Sequence, residues 1–312
     1  MSRKLTVKKN NTGLFRFAIA LILIVFFGLL STTWAQPPRH LQGFSISSLQ
    51  KGDFFLFSKK PQEALKIFQD LWQSEPQNNY AVRGIVRSHK ALDTLPEGVS
   101  SLNGYLEKHP KSSSASYGLG YIFYLQGKFK ESEKVLNEAL GFDPKNSLAL
   151  NTLAAVLAEL KDYANALKNV KEAISIDPDE LIFYRNLQMI YASSGKPEKY
   201  EDDYRHLLAK GFPKRAKPYG LILAQQLRQK SFKLYVDGKI DEAINAMTEM
   251  LTLYREVNHE SGIVAGLFSL AVLYEEQGKV DLALEKYREV LKINPQHIQA
   301  NEKLRTLSSG KD

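Results

Sequence analysis

The chain has 312 residues, 44% apolar and 24% charged, with a formal net charge of +8. That composition is of a folded globular protein and excludes a disordered one. Nor is the charge a nucleic-acid signal: Arg3, Lys4, Lys8, Lys9 and Arg16 supply five of the eight positive charges, and the +3 left after Ala35 is spread over mixed-sign segments rather than gathered into a phosphate-neutralising stripe.

Residues 1–35 read as an export signal or signal anchor. A basic segment is followed by the uncharged run Phe17–Leu30 and then by STTWA, with small residues at Thr33 and Ala35. Cleavage after Ala35 is the favoured reading. Extending the run through residues 17–35 brings it close to the roughly 20 residues a membrane span needs, which keeps membrane anchoring as the alternative. Both readings carry everything after residue 36 across the cytoplasmic membrane, to a periplasmic or membrane-anchored location. There is no cysteine, and the one N-x-[ST] triplet, Asn10-Asn11-Thr12, falls inside the signal. An exported chain without disulfides or acceptor sites points to a bacterial envelope.

After a linker at 36–44 the sequence repeats. QDLWQSEP, NGYLEKHP, NEALGFDP and KEAISIDP end at Pro76, Pro110, Pro144 and Pro178, a constant interval of 34 residues, and REVLKINP ends at Pro295. Each unit predicts two short amphipathic helices closed by a proline. In the unit from Ser113 to Asn146, Leu119, Gly120 and Phe123 line the first helix. Gly127-Lys128 makes the turn, and Leu136, Ala139 and Leu140 line the second helix.

A lone helix pair cannot bury its apolar stripe, so such units fold by stacking. Through Leu119, Gly120, Phe123, Ala139 and Pro144, and again through Leu270, Ala271, Tyr274, Gly278, Ala283, Tyr287 and Pro295, the chain resembles the tetratricopeptide repeat family. The resemblance implies an all-α fold, a right-handed superhelical solenoid of helix-turn-helix repeats. Tracing the register places repeats 1–5 at 45–213, an irregular joint at 214–223, repeats 6–7 at 224–297, and a capping helix and tail at 298–312. Gly98 stands where an alanine-like contact is expected, and Tyr200 and Leu207 stand at positions the family usually keeps small. The basic cluster Lys210, Lys214, Arg215 and Lys217 at the joint reads as a solvated connection.

The chemistry-bearing patterns are absent from the sequence. Six scattered histidines include no pair at i, i+4, and neither a nucleophile elbow nor a phosphate loop occurs. No cofactor, metal site or enzymatic activity is expected. What remains is a surface. On the helix from Ser114 to Gln126, Tyr117, Tyr121 and Tyr124 form one stripe opposite Leu119, Gly120 and Phe123. The resemblance implies that first helices line a concave groove for a peptide, and equivalent places hold Arg83, Arg87, Lys90, Asn151 and Arg185. Tyrosine with arginine suits a peptide groove, by rigid ring area and planar cationic forks. The Lys/Asn/Arg clamp by which some family members hold a terminal carboxylate is not reproduced. The expected function is a non-enzymatic scaffold or assembly adaptor for a protein partner. The alternative is an envelope scaffold for polysaccharide export or glycan binding, through rings stacked on sugars.

Overall fold

The computed structural model describes residues 43–309, and every regular element among them is a helix. The export signal at 1–35 and nearly all of the linker at 36–44 lie outside the described residues. No described helix is long and apolar enough to cross a membrane. The chain divides into two compact units between His206 and Leu207.

The first unit is a stack of antiparallel pairs: α1 (Gly43–Phe57) with α2 (Pro61–Ser74), α3 (Asn79–Leu92) with α4 (Leu95–Lys108), α5 (Ser113–Leu125) with α6 (Phe129–Phe142), α7 (Ser147–Glu159) with α8 (Tyr163–Ile176), and α9 (Leu181–Ser193) with α10 (Glu198–Ala209). The repeating proline explains only how each pair ends. The residue two places later starts the next pair. The side chains of Asn78, Ser112 and Asn146 accept from the backbone N–H of Ala81, Ala115 and Ala149 at 3.0, 3.2 and 3.0 Å, capping α3, α5 and α7. The turn inside each pair is left-handed at the same interval, at Lys59, Asp93, Gly127, Lys161 and Gly195. Where this residue is not glycine, the conformation costs roughly 1 kcal/mol.

Packing within the stack follows one rule of size. The second helix of each pair presents a buried side chain at Phe68, Leu102, Leu136, Val170 and Tyr204, again 34 residues apart. The first helices open notches for these side chains. A methyl added to Gly52 or Gly84 would enter the Phe68 ring from either side, and one at Gly120 would lie 2.5 Å from Leu136 Cγ. The largest side chain of the first four thus fills the site flanked by two glycines. The α5–α6 approach is close enough for Ser132 Oγ to donate to the Gly120 carbonyl at 2.7 Å. Ala173, fully buried on α8, leaves no room for growth. Ala173→Leu is expected to cost about 1–3 kcal/mol, read as a lower denaturation midpoint with the helical signal otherwise retained.

The second unit contains α11 (Pro213–Val236), α12 (Ile240–Glu256), α13 (Glu260–Glu276), α14 (Val280–Ile293) and α15 (Ile298–Ser309). Residues 214–223, expected as an irregular joint, instead form the first part of the 24-residue α11. Ala216, Gly220, Leu221, Ile222 and Ala224 give that stretch a buried face, and Pro218, near the helix start, removes a single hydrogen bond. The residues that interrupt the 34-residue period lengthen helices instead of making loops. Of NHESGI, Glu260–Ile263 form the first turn of the 17-residue α13, while Asn258 takes a left-handed conformation in the turn and His259 caps the helix. Lys210, Lys214, Arg215 and Lys217 are exposed along this entry.

Burial holds His89, His259 and His297 below the ordinary histidine range; Lys217 adds to the effect at His259, while Glu97 opposes it at His89. The folded state therefore disfavours protonation that the unfolded chain accepts below about 6.5. Stability is present above that pH and is lost as pH falls through it. The denaturation midpoint is expected to drop between pH 7.5 and 6.0, and His89→Gln to flatten the drop in the first unit; an unchanged slope would remove His89 from the effect.

Candidate functional site

Helices α3, α5, α7 and α9 present one shared face, and the 34-residue step fixes which residues meet on it. Arg83, Tyr117, Asn151 and Arg185 form one row; Arg87, Tyr121, Ala155 and Met189 a second; Lys90, Tyr124, Ala158 and Ala192 a third. The second and third rows contain Ala155, Ala158 and Met189, which belong to the site by register although a search for polar and aromatic groups passes over them.

The three tyrosines are not equivalent. Tyr117 is 1% exposed, its ring stacked on Tyr121 at 6.1 Å with planes 7° apart. It supports the surface and offers no area to a ligand. Tyr121 and Tyr124 are half-buried. Burial, then Glu159 and Tyr121, raises the Tyr124 phenol above its usual range, so the hydroxyl stays a neutral donor.

The arginines are engaged within the chain. Arg83 Nη1 lies 3.3 Å from Glu180 Oε2, and Tyr80 Oη donates to Asp177 Oδ2 at 3.1 Å, both across 97 residues. Ser147 Oγ also donates to Asp177, and Glu180 accepts from the first turn of α9 at Ile182 N. This clasp joins α3 to the α8–α9 turn and covers one margin of the shared face. Burial opposes the Arg83 charge, but Glu180 and then the Tyr117 and Tyr80 hydroxyls outweigh it. Arg87 pairs with Asp53 at 2.6 Å. Of the four basic residues expected on the groove, Arg83 and Arg87 are thus held by carboxylates of the chain, while Lys90 and Arg185 are exposed.

At the opposite margin the face holds a cavity of about 200 Å³, lined by Tyr124, Ala155, Ala158, Asn186, Met189 and Ile190 with Glu159, Lys161 and Tyr163 at its rim. Small alanines on α7 leave the space, and Met189, 57% exposed, forms a flexible wall. Beside it Asn186 Nδ2 donates to Asn151 Oδ1 at 3.0 Å, which leaves the second N–H of Asn186 and the amide N–H groups of Asn151 for other partners. A hollow with an apolar wall at Ala155, Ala158, Met189 and Ile190 and a polar one at Glu159, Lys161 and Ser193, next to paired amides, can take a side chain and hold the backbone that carries it. Among the described residues no group of three or more metal-ligating side chains comes together.

Comparison with known proteins agrees with the stacked pairs. Tetratricopeptide repeat models match residues 84–147, 148–180 and 264–297. Anaphase-promoting complex subunit 3 of Schizosaccharomyces pombe is 23% identical over 39% of this chain and 18% of its own length. Small glutamine-rich tetratricopeptide repeat-containing protein 2 of Saccharomyces cerevisiae is 34% identical over 25% of this chain and 24% of its own. The chain thus spans less than a quarter of either relative. Among solved structures, the hetero-tetramer Cut9-Hcn1 aligns over 96% of this chain and 60% of its own at 16% identity with a TM-score of 0.46. The peptide-binding protein YrrB aligns over 75% and 96% at 15% identity with a TM-score of 0.32.

Proposed function

Because the chain carries tetratricopeptide repeats in these three stretches, a protein-protein interaction scaffold with no enzymatic family indicated, we propose that it serves as an assembly adaptor of the bacterial cell envelope and holds an extended segment of a partner protein on the face shared by α3, α5, α7 and α9. The observation that carries this reading is the cavity at Tyr124, Ala155 and Met189 beside the Asn151–Asn186 pair. A partner side chain of apolar character enters the hollow, and the amides hold its main chain. Tyr121 flanks the path on the buried support of Tyr117. Arg83 and Arg87 are neutralised by Glu180 and Asp53, so recognition rests on shape and hydrogen bonding more than on acidity. The apolar run at 17–35 brings the folded units across the cytoplasmic membrane; its basic start and small closing residues support that placement.

Peptides selected from a random display library against the full chain test the groove. Ala155→Trp fills the cavity and is expected to weaken the selected peptides at least about tenfold, the loss that follows when a buried anchor of roughly 1.5–3 kcal/mol has no place to go. Raising salt is expected to change affinity little. Unchanged affinity of a folded Ala155→Trp chain would remove the cavity from the site.

A further inference from the structure

We infer that the outer face of α1 rests on an anionic bilayer surface. The inference depends on the proposed reading of residues 17–35, in the form that keeps that segment attached. The place of Lys51, which is exposed, is taken in later first helices by Ile85, Leu119, Leu153 and Leu187, all buried. That of Ser47 is taken by Ala81, Ala115 and Ala149, also buried. The stacking face of α1 is thus polar where a further repeat would need apolar contact, which argues against another helix pair or a second copy of the stack as its cover.

The same face is not simply a wettable end. Phe54, whose counterparts Ser88, Ile122, Val156 and Ile190 are buried, is 49% exposed, and Phe57, on the adjoining edge of the helix, is 51% exposed. Lys51 stands one turn from Phe54, and Lys59 and Lys60 continue the positive charge in the turn after Phe57, all three exposed. The one acidic residue of α1, Asp53, is occupied by Arg87. Exposed rings among lysines suit the boundary between head groups and acyl chains, where rings are buried to shallow depth and cations meet anionic lipid. Position agrees with composition: the apolar run ends at Ala35, and only seven residues separate it from Gly43, a reach of at most about 29 Å when extended. A segment embedded by residues 17–35 therefore delivers α1 to the surface at the start of the folded chain.

The chain has no cysteine, so Phe57→Cys can carry a single environment-sensitive fluorophore. The full-length labelled chain is reconstituted into phosphatidylcholine vesicles with or without about 30% phosphatidylglycerol, and a nitroxide is placed at head-group depth in the lipid. The inference expects quenching at position 57, stronger with phosphatidylglycerol, and none for a label at Glu138 on α6. Replacing Lys51, Lys59 and Lys60 by Gln, with the helical signal unchanged, is expected to weaken the phosphatidylglycerol-dependent quenching by about fivefold per lysine. A vesicle-bound chain whose label at 57 stays unquenched overturns the inference and leaves membrane attachment standing. A chain found free of the vesicles overturns both. Quenching equal in the two lipid mixtures, or blue-shifted emission without lipid, overturns it in favour of a cover from the chain itself or from another protein.

Discussion

Gly84→Ala is expected to lower the stability of the first unit by about 1–3 kcal/mol, the range for overpacking a well-filled site, and Phe68→Leu in the same chain to recover a large part of the loss. The added methyl at Gly84 would occupy the Phe68 ring, and the ring cannot turn away because Gly52 bounds its other side. Phe68→Leu alone empties part of the site and also destabilises. Together the two changes trade volume, so their effects are non-additive by an amount in the range of 0.5–3 kcal/mol expected for residues in contact. Denaturant titration of the parent, both single variants and the double variant measures this. Additive losses would contradict the fitting of one second-helix ring into two first-helix notches.

Arg83→Ala is the second large effect. Its side chain is 20% exposed and that of Glu180 5%, so removing the arginine strands a carboxylate that water reaches poorly. A loss of about 3 kcal/mol is expected, at the lower end for breaking a buried pair. Asp53→Ala is the contrast: Arg87 and Asp53 are 37% and 45% exposed, and their pair is worth about 1 kcal/mol or less. Arg83→Met with Glu180→Leu is expected to return most of the stability, since apolar replacement of both partners avoids the stranded charge. Equal losses from Arg83→Ala and Asp53→Ala would contradict the clasp as a buried link between α3 and the start of α9.

The periodic features were readable in the sequence because each repeats with the helix pair that produces it. Pro76, Pro110, Pro144 and Pro178 marked the pair ends, and the notch at Gly120 stood in the apolar stripe. Capping by Asn78, Ser112 and Asn146 was equally periodic, two residues after each proline, and needed only the same step to be found. Residues 214–223 misled because a break in period resembles a break in structure, whereas α11 absorbs the extra residues as helical turns. At the groove, Tyr121 and Asn151 were visible as chemistry, but Ala155 and Met189 matter through the space they leave and the wall they form. The engagement of Arg83 by Glu180 depends on how tightly successive pairs curve, which joins residues 97 apart and has no local signature in the chain.

The most direct test of the groove places a photo-crosslinking amino acid at Tyr121, and in a separate chain at Glu138 on the exposed side of α6, and irradiates both in the native host. The account predicts that one discrete protein is captured at Tyr121 and not at Glu138, and that Ala155→Trp abolishes the capture. Capture at Glu138 alone, or at Tyr121 undiminished by Ala155→Trp in a folded chain, would contradict it.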